Sequence, residues 1–211
     1  MRKIIPWLLL TLFVVAAGGV LYLFWSLDWR WRPHTVGRNQ TQIAQALEQS
    51  GWVSPHNPGP RLYIVAYRSC EACNSFAQKE FTKLQAAGVD TRVIMVARPD
   101  LNGLAQSTNA ERATVAELWI NRRWSLYQGW AASTPEAWTA AGVAPADGDL
   151  ARAAVVEAGR KFAVDLPALL KPNGVGAGYP TLVWWTKDGK MRACVCDAPQ
   201  TWGNVEKELG A

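Results

Sequence analysis

Two cysteines three positions apart are the residues best suited to do chemistry in this sequence. The stretch Cys70-Glu71-Ala72-Cys73 follows an apolar run, Leu62 to Tyr67, which is rich in β-branched and aromatic residues and predicts a buried strand. A helix is predicted after it, through about Ala87. One helical turn brings two sulfurs within bonding distance, and the helix N-terminus offers unpaired N–H groups to a thiolate. This spacing at a strand–helix junction therefore indicates thiol–disulfide chemistry, with half of a zinc site or an inert core pair as the alternatives.

A second stretch nearer the C-terminus supplies the elements that would position this pair. Gly178-Tyr179-Pro180-Thr181 precedes a short apolar run, Leu182 to Trp185. The next five residues, 186 to 190, contain the Asp-Gly of a tight turn, and the chain returns as a strand from Met191 to Cys196. A last helix is predicted from Trp202 to Leu209. The sequence therefore predicts a hairpin and a helix after Pro180.

The order of these elements resembles the thioredoxin-like superfamily over roughly residues 60 to 211. In that family a cis-proline opens the strand beside the C-x-x-C pair, and Pro180 matches this position. A predicted helical insertion, about residues 98 to 177, resembles bacterial Dsb-type thiol–disulfide oxidoreductases of the DsbA and DsbC/DsbG kinds. The resemblance implies an α/β domain, residues 61 to 211, with a thioredoxin-like fold and the insertion before the cis-proline strand.

The resemblance also implies a role for each site residue. Cys70 would be the nucleophile and the more exposed cysteine of its pair, and Cys73 would release the mixed disulfide. Tyr179, Pro180 and Thr181 would bind an extended substrate segment. The expected substrates are proteins with cysteines, and neither a cofactor nor a metal is expected.

Three positions depart from the pattern of strongly oxidising relatives. The dipeptide Glu71-Ala72 lacks their histidine, and its carboxylate disfavours the Cys70 thiolate, which makes the disulfide couple more reducing. Ile64 stands where many relatives carry a buried acid, and Tyr179 stands where a smaller residue is usual. These departures favour a reductase or an isomerase over a strong oxidase.

Cys194-Val195-Cys196 forms a second cysteine pair on the predicted return strand, with both side chains on one face. A two-residue turn at Asp188-Gly189 would pair Val183 with Cys194 and Thr181 with Cys196, at the active-site end. We predict an auxiliary redox pair, the alternatives being an edge-strand disulfide without function or two free thiols. This strand would lie two strands, ~10 Å, from the one that leads to Cys70, which argues against a shared zinc site.

The N-terminal segment predicts a membrane anchor. Residues 1 to 3 form a basic tail, and Ile4 to Leu27 then runs without a charge, which as a helix would be ~36 Å long and would cross a ~30 Å hydrocarbon core. Trp25, Trp29 and Trp31 resemble an interfacial aromatic belt. The alternative is a signal peptide cleaved near residues 16 to 19, but the apolar run continues well past those positions.

The orientation of this anchor follows from the redox chemistry rather than from charge. Arg2 and Lys3 on one side nearly balance Arg30, Arg32 and Arg38 on the other. Disulfide chemistry belongs to oxidising compartments, so we predict a single-pass protein of the bacterial inner membrane with its domain in the periplasm. The net charge of +5 then fits a solvated surface better than nucleic acid binding, and a membrane protein is an expected redox partner.

The remaining segments are a lead-in and the helical insertion. Residues 28 to 60 are predicted to be a tether with a short helix, Gln40 to Gln49, and both histidines, His34 and His56, are assigned to the surface. In the insertion, Thr108 with Glu111 predicts a capping box and a helix through about Tyr127. Thr134-Pro135-Glu136 predicts a second helix start. A third helix is predicted from Asp149 to Val164, with a break and restart at residues 165 to 167.

Twelve tryptophans in 211 residues are unusual, and four of them lie in the insertion: Trp119, Trp124, Trp130 and Trp138. Core packing is the favoured interpretation, and a groove for unfolded substrate or a partner protein is the alternative.

The sequence as a whole thus predicts a membrane-anchored thiol–disulfide oxidoreductase. One alternative is a non-catalytic thioredoxin-like subunit that serves as a docking module in an envelope or membrane complex. Another is a thiol reductant for cytochrome c maturation. The sequence leaves the substrate, the redox direction and the oligomeric state open.

Overall fold

The computed structural model describes the backbone of residues 4–27 and 31–211, and the side chains of residues 12–26 and 31–211. The chain divides at Pro33 into an N-terminal unit and a larger domain, Pro33–Ala211. The N-terminal unit contains α1 (Ile4–Leu27), a helix of 24 residues. In the part of the chain that the structure describes, no helix is long and apolar enough to cross a membrane. The predicted cytoplasmic tail, residues 1 to 3, lies outside the described residues, and the membrane crossing stays a prediction.

The domain is built on a mixed sheet of five strands in the order β1-β5-β4-β2-β3. Strands β2 and β3 are parallel, and the other neighbouring pairs are antiparallel. The strands are β1 (His34–Thr35), β2 (Arg61–Ala66), β3 (Asp90–Met95), β4 (Thr181–Trp185) and β5 (Met191–Val195). The helices of the domain are α2 (Gln40–Gln49), α3 (Glu71–Ala86), α4 (Asn109–Asn121), α5 (Trp124–Ala132), α6 (Leu150–Leu170) and α7 (Pro199–Leu209).

Both faces of the sheet are covered, which explains the unbroken apolar runs in the sequence. Along β2, Leu62 and Ile64 face one buried cluster, and Tyr63 and Val65 face the other. The first cluster contains all four cysteines and side chains of α3, α4, α5 and α7. The second contains side chains of α2 and α6. The mixed α/β sheet with these layers is consistent with a thioredoxin-like fold.

The β4–β5 hairpin has a register that differs by one residue from the predicted one. Trp185 pairs with Met191, and Cys194 therefore lies opposite Leu182 rather than Val183. The reason is the turn: Gly189 adopts a φ of +78° and donates to the carbonyl of Thr186, so the loop holds one residue more than a two-residue turn.

The insertion contains three helices, two of which end where the sequence did not predict. The predicted capping box of Thr108 and Glu111 is present, but the helix stops at Asn121 because Arg122 is left-handed, and α5 begins at Trp124. The segment 134–136 forms a single turn, not a helix. The predicted break at residues 165 to 167 is absent: α6 continues through Pro167, which lies near its C-terminus and removes only one N–H from the helix.

Helices α3 and α7 are joined by a cluster of two carboxylates and a lysine. Lys83 Nζ lies 3.1 Å from the buried Glu80 on α3 and 2.9 Å from Glu206 on α7. Burial, together with a hydrogen bond to Glu206, raises the pKa of Glu80 above its ordinary value of 4.5. Hydrogen bonds to Glu80 and Lys83 lower the pKa of Glu206.

Replacing Glu80 by glutamine should reduce the pH dependence of stability. Glu80 binds its proton more tightly in the folded chain, so its contribution is present below pH 4.5 and is lost as the pH rises through the folded-state pKa. The free energy of unfolding of Glu80→Gln should therefore fall less than that of the parent above pH 4.5, as urea titrations at a series of pH values can measure. Glu206→Gln is the matched control. The pKa of Glu206 is lowered in the folded chain, so this substitution should reduce the free energy of unfolding at neutral pH. The assignment would be contradicted if, above pH 4.5, the free energy of unfolding of the parent rose with pH relative to that of Glu80→Gln.

Candidate functional site

The first cysteine pair closes a disulfide at the N-terminus of α3. Cys70 and Cys73 are bonded to each other, with their Cα atoms 5.2 Å apart. Cys70 is the N-cap of α3, and its Sγ accepts a hydrogen bond from the backbone N–H of Cys73 at 3.1 Å. This places the Cys70 sulfur where the unpaired N–H groups of a helix can stabilise a thiolate.

The turn between β2 and α3 is held by two hydrogen bonds. The N–H of Cys70 donates to the carbonyl of Tyr67 at 3.2 Å, and Asn74 Nδ2 donates to the carbonyl of Arg68 at 3.2 Å. Because both bonds fold the chain back on itself, the strand delivers Cys70 to the first position of the helix. The predicted strand–disulfide–helix arrangement is therefore what the structure has.

The expectation that Cys70 is the more exposed cysteine is wrong. Cys70 is 4% exposed and Cys73 is 5% exposed, so both lie in the buried cluster of the sheet. Position at the start of a helix favours exposure only when no other element covers that end, and here aromatic side chains such as Tyr67 and Tyr179 pack against the cluster. Access to either sulfur is therefore restricted.

The chain next to Pro180 has the backbone geometry that the sequence resemblance implied. The Tyr179–Pro180 peptide bond is cis, and Thr181 pairs with Val65, which lies on the strand that leads to Cys70. Pro180 is buried, and its carbonyl accepts the N–H of Cys196 at 2.9 Å. The Thr181 hydroxyl is also used internally, since it donates to the carbonyl of Gly178 at 2.6 Å. In the described part of the chain, neither backbone polar group of Tyr179 makes a backbone hydrogen bond.

Two tyrosines and an arginine form the border of this site. The rings of Tyr67 and Tyr179 meet edge to face at 5.0 Å, and the guanidinium of Arg98 lies 5.1 Å from the centre of the Tyr67 ring. Burial raises the pKa of Tyr179. Tyr179 is therefore neutral near pH 7 and offers an apolar ring rather than a charge.

A cavity of about 430 Å³ lies between α3 and α5, against the sheet. Its lining includes Cys73, Ile64 and Arg68, together with aromatic side chains of α5. Ile64 thus stands beside Cys73, as the resemblance implied, and no carboxylate lines this cavity. The sequence offers a groove among the tryptophans of the insertion only as an alternative to core packing, because the position of the cavity depends on how the insertion packs on α3. The sequence signal for Arg68 is a charged residue two positions before Cys70.

The second cysteine pair is also bonded to itself. The Cα atoms of Cys194 and Cys196 are 5.4 Å apart, and the two residues are 4% and 0% exposed. The side chain of Trp202 on α7 donates to the carbonyl of Cys196 at 2.9 Å, and its ring contacts Phe76 of α3. The pair therefore lies in the same buried cluster as Cys70 and Cys73, at the level of Pro180, and its sulfurs are shielded from solvent.

The four tryptophans of the insertion are used mainly in packing. Trp119 donates to the carbonyl of Met95 at 2.8 Å, and Trp138 donates to the hydroxyl of Thr114 at 2.8 Å. Trp130 is 1% exposed, and Trp124 stacks on Tyr127 with ring centres 5.0 Å apart. Both residues line the cavity beside Cys73.

The sheet, the disulfide at the start of a helix and the cis-proline strand beside it are consistent with a thioredoxin-like fold. No family model and no curated protein matches the chain. Seven chains of solved structures do match. One is the crystal structure of BcfH from Salmonella enterica Typhimurium, with a TM-score of 0.53 and 15% sequence identity over 94% of this chain and 89% of that chain. At this identity the likeness bears on the fold alone.

Proposed function

We propose that the protein is a thiol–disulfide oxidoreductase that acts on protein disulfides through Cys70 and Cys73. The observation that carries the proposal is the position of Cys70, whose sulfur caps α3 and accepts the N–H of Cys73. The same contact would stabilise the negative charge of a thiolate after reduction of the pair. A thioredoxin-like fold also supports this chemistry.

The reaction begins from the reduced pair. The Cys70 thiolate attacks one sulfur of a substrate disulfide, the substrate S–S bond breaks, and the other substrate sulfur leaves as a thiolate that takes up a proton. Cys73, deprotonated in turn, attacks the Cys70 sulfur of the mixed disulfide. The second substrate sulfur then leaves as a thiol, and the pair ends as the Cys70–Cys73 disulfide. The substrate gains two electrons and two protons, which the pair loses.

Substrate would bind along the chain that precedes β4. The free N–H and C=O of Tyr179 can pair with an extended peptide in the manner of an added strand. The rings of Tyr67 and Tyr179 would contact its side chains. We therefore propose that the backbone of Tyr179 binds the substrate. Pro180 and Thr181 would position that backbone, because the Pro180 carbonyl and the Thr181 hydroxyl already form hydrogen bonds within the domain.

The surroundings of the pair favour reduction or isomerisation over strong oxidation. Glu71 adds a carboxylate in the first turn of α3, and Ile64 supplies no proton acceptor beside Cys73. A carboxylate near Cys70 disfavours its thiolate, and a less stable reduced form corresponds to a lower reduction potential.

Turnover of insulin in the presence of dithiothreitol tests this proposal. An oxidoreductase of the proposed kind should accelerate the precipitation of reduced insulin B chain. The reduction potential of a reductase should lie near that of thioredoxin, about −270 mV, and that of an isomerase near that of protein disulfide isomerase, about −180 mV. A potential at or above that of DsbA, about −120 mV, would overturn the assignment. Acceleration no greater than that by bovine serum albumin would favour a non-catalytic protein.

A non-catalytic docking module is the second candidate, and the burial of both cysteines favours it. At 4% and 5% exposure neither sulfur is presented to a large substrate without movement of the surrounding side chains. In such a subunit the Cys70–Cys73 disulfide would be structural. It would then resist reduction by millimolar dithiothreitol in the folded protein, whereas an active pair would be reduced.

The location of the protein is a further part of the proposal. We propose that residues 4–27 anchor the chain in a bacterial inner membrane and that the domain faces the periplasm, because a stable disulfide pair suits that compartment. A membrane-impermeant maleimide should then label the reduced domain on intact spheroplasts. Labelling that requires permeabilised cells would place the domain on the cytoplasmic side.

A further inference from the structure

We propose that the cavity between α3 and α5 is a binding site for a small apolar monocarboxylate, with Arg68 and Trp130 as the groups that hold its carboxylate. The proposal is independent of the redox function. It rests on two buried hydrogen-bond donors without acceptors, on a buried guanidinium without a carboxylate partner, and on the shape and lining of the cavity.

The two donors are the Nε of Arg68 and the Nε1 of Trp130. Both are buried, and neither has a hydrogen-bond partner among the described residues. Both residues line the cavity, and the Arg68 guanidinium lies 5.6 Å from the centre of the Trp130 ring. A buried donor without an acceptor costs about 1–3 kcal/mol, so two of them at one cavity indicate that an acceptor belongs there.

The second observation concerns the charge of Arg68. The side chain is 7% exposed, and its Nη2 donates to the carbonyl of Ser133, a neutral group. No ion pair joins Arg68 to a carboxylate in the part of the chain that the structure describes. Burial lowers the pKa of this guanidinium, while the electrostatic effects of Glu111, Tyr127 and Glu136 oppose the shift. A buried cation of this kind is strongly stabilised by an anion that also accepts hydrogen bonds.

One wall of the cavity is suited to an apolar body, and polar side chains also line the space: Asn74, Gln78, Thr82, Gln85 and Gln128. Its volume of about 430 Å³ falls in the range of small-molecule sites, roughly 300–1,000 Å³. It follows α3 from Cys73 to Gln85, twelve residues or ~18 Å of helix, so the space is elongated. Phe81, Trp124 and Tyr127 form an aromatic wall along it, with rings 5.0 to 6.5 Å apart.

These features select the ligand class. One guanidinium balances one negative charge, so a monocarboxylate fits the electrostatics better than a phosphate dianion does. A carboxylate has two oxygens, which can accept from the Arg68 Nε and the Trp130 Nε1 at the same time. The aromatic wall then favours an elongated apolar tail, and 4-phenylbutyrate is a water-soluble probe with both parts.

Equilibrium dialysis of the full-length protein in lipid nanodiscs tests the proposal, with empty nanodiscs as the blank. Wild-type protein should bind one equivalent of 4-phenylbutyrate saturably and at least about tenfold more tightly than the neutral 4-phenylbutyramide, because the charge-assisted hydrogen bonds require the carboxylate. Acetate, which has the charge without the tail, should bind too weakly to detect.

Three variants locate the site. Arg68→Met should bind the carboxylate no better than the amide, and Ala77→Phe, which fills the cavity from α3, should bind neither. Arg123→Met, which removes one charge from an exposed residue outside the lining, should bind as the wild type does. Equal binding of carboxylate and amide by the wild type, absence of saturable binding, or unchanged binding by Ala77→Phe would each overturn the proposal. If Arg68→Met does not fold, the comparison of the two ligands on the wild type still decides.

Discussion

Replacing Cys70 by serine should abolish disulfide exchange, whereas replacing Cys73 by serine should yield a protein that captures its substrates as mixed disulfides. The Cys70 sulfur caps α3 and accepts the N–H of Cys73, so a thiolate at this position is stabilised and can attack. Without Cys73 the mixed disulfide has no neighbouring thiol to resolve it. We expect the loss of turnover in both variants to exceed two orders of magnitude, as insulin reduction under dithiothreitol can measure.

The second cysteine pair supplies the matched control. The variant Cys194→Ala/Cys196→Ala also loses one disulfide from the same buried cluster, but it leaves the cap of α3 intact. Its melting temperature should stay close to that of the parent, because a disulfide that closes so short a loop constrains the unfolded chain little. An altered exchange rate with an unchanged melting temperature would support the predicted auxiliary redox role, and a large drop in melting temperature with unchanged exchange would make the pair structural.

One outcome would reverse the assignment within the first pair. Cys73 lines the cavity beside α5, whereas Cys70 does not. If the Cys70→Ser variant captured substrates and the Cys73→Ser variant did not, Cys73 would be the nucleophile, approached from the cavity. Gel electrophoresis under non-reducing conditions, followed by mass spectrometry of the captured species, distinguishes the two cases.

The sequence predicted those parts of the site that depend on local signals. An apolar run, a C-x-x-C and a capping box each act within a few residues, and the strand, the disulfide at the helix start and α4 all have such local causes. The cis-proline assignment of Pro180 came from the resemblance to the thioredoxin-like superfamily, which its place before an apolar run and an Asp-Gly turn supported.

The features that the sequence did not predict depend on the conformation of a turn, on the continuity of a helix and on packing between distant segments. The register of Cys194 was wrong by one residue because the extra loop residue at Gly189 is a property of the turn conformation. The equal burial of Cys70 and Cys73 and the cavity next to Arg68 depend on where the insertion settles on α3. No local pattern encodes either. Pro167 within α6 shows the same limit, since the local rule predicted a break that the surrounding helix does not make.

Trp119 makes one of the contacts between the lead-in and the insertion, and a glycine allows this contact. An added Cβ at Gly51 would lie 2.1 Å from the Cγ of Trp119 and 2.5 Å from its Cα. The ring cannot withdraw freely, because its Nε1 donates to the carbonyl of Met95 and its far edge faces Gly159 of α6. Gly51→Ala should therefore force backbone movement and destabilise the domain by about 3 kcal/mol, the upper part of the range for overpacked cores.

Two other glycines complete a graded series. An added Cβ at Gly159 would lie 3.2 Å from the Trp119 ring, a tight contact that the higher helix propensity of alanine, about 1 kcal/mol, should largely offset. Gly129 in α5 is exposed with nothing within 4 Å of such a Cβ, so Gly129→Ala should be neutral or stabilising by up to about 1 kcal/mol.

Thermal unfolding followed by circular dichroism should rank the three variants in the order of these distances. For a domain of this size ~3 kcal/mol corresponds to a fall of about 6–12 °C in melting temperature, which Gly51→Ala should show. Gly159→Ala should stay within about 4 °C of the parent, and Gly129→Ala should melt at or above the parent.

The double variant Gly51→Ala/Trp119→Phe offers a check on the cause. The smaller ring relieves the contact with Cγ only in part, and the contact with the Trp119 backbone remains, so the double variant should still melt well below Trp119→Phe alone. If Gly51→Ala melted like the parent, the lead-in would not be packed against α4 in the way described, and the close approach of Gly51 to Trp119 would have to be abandoned.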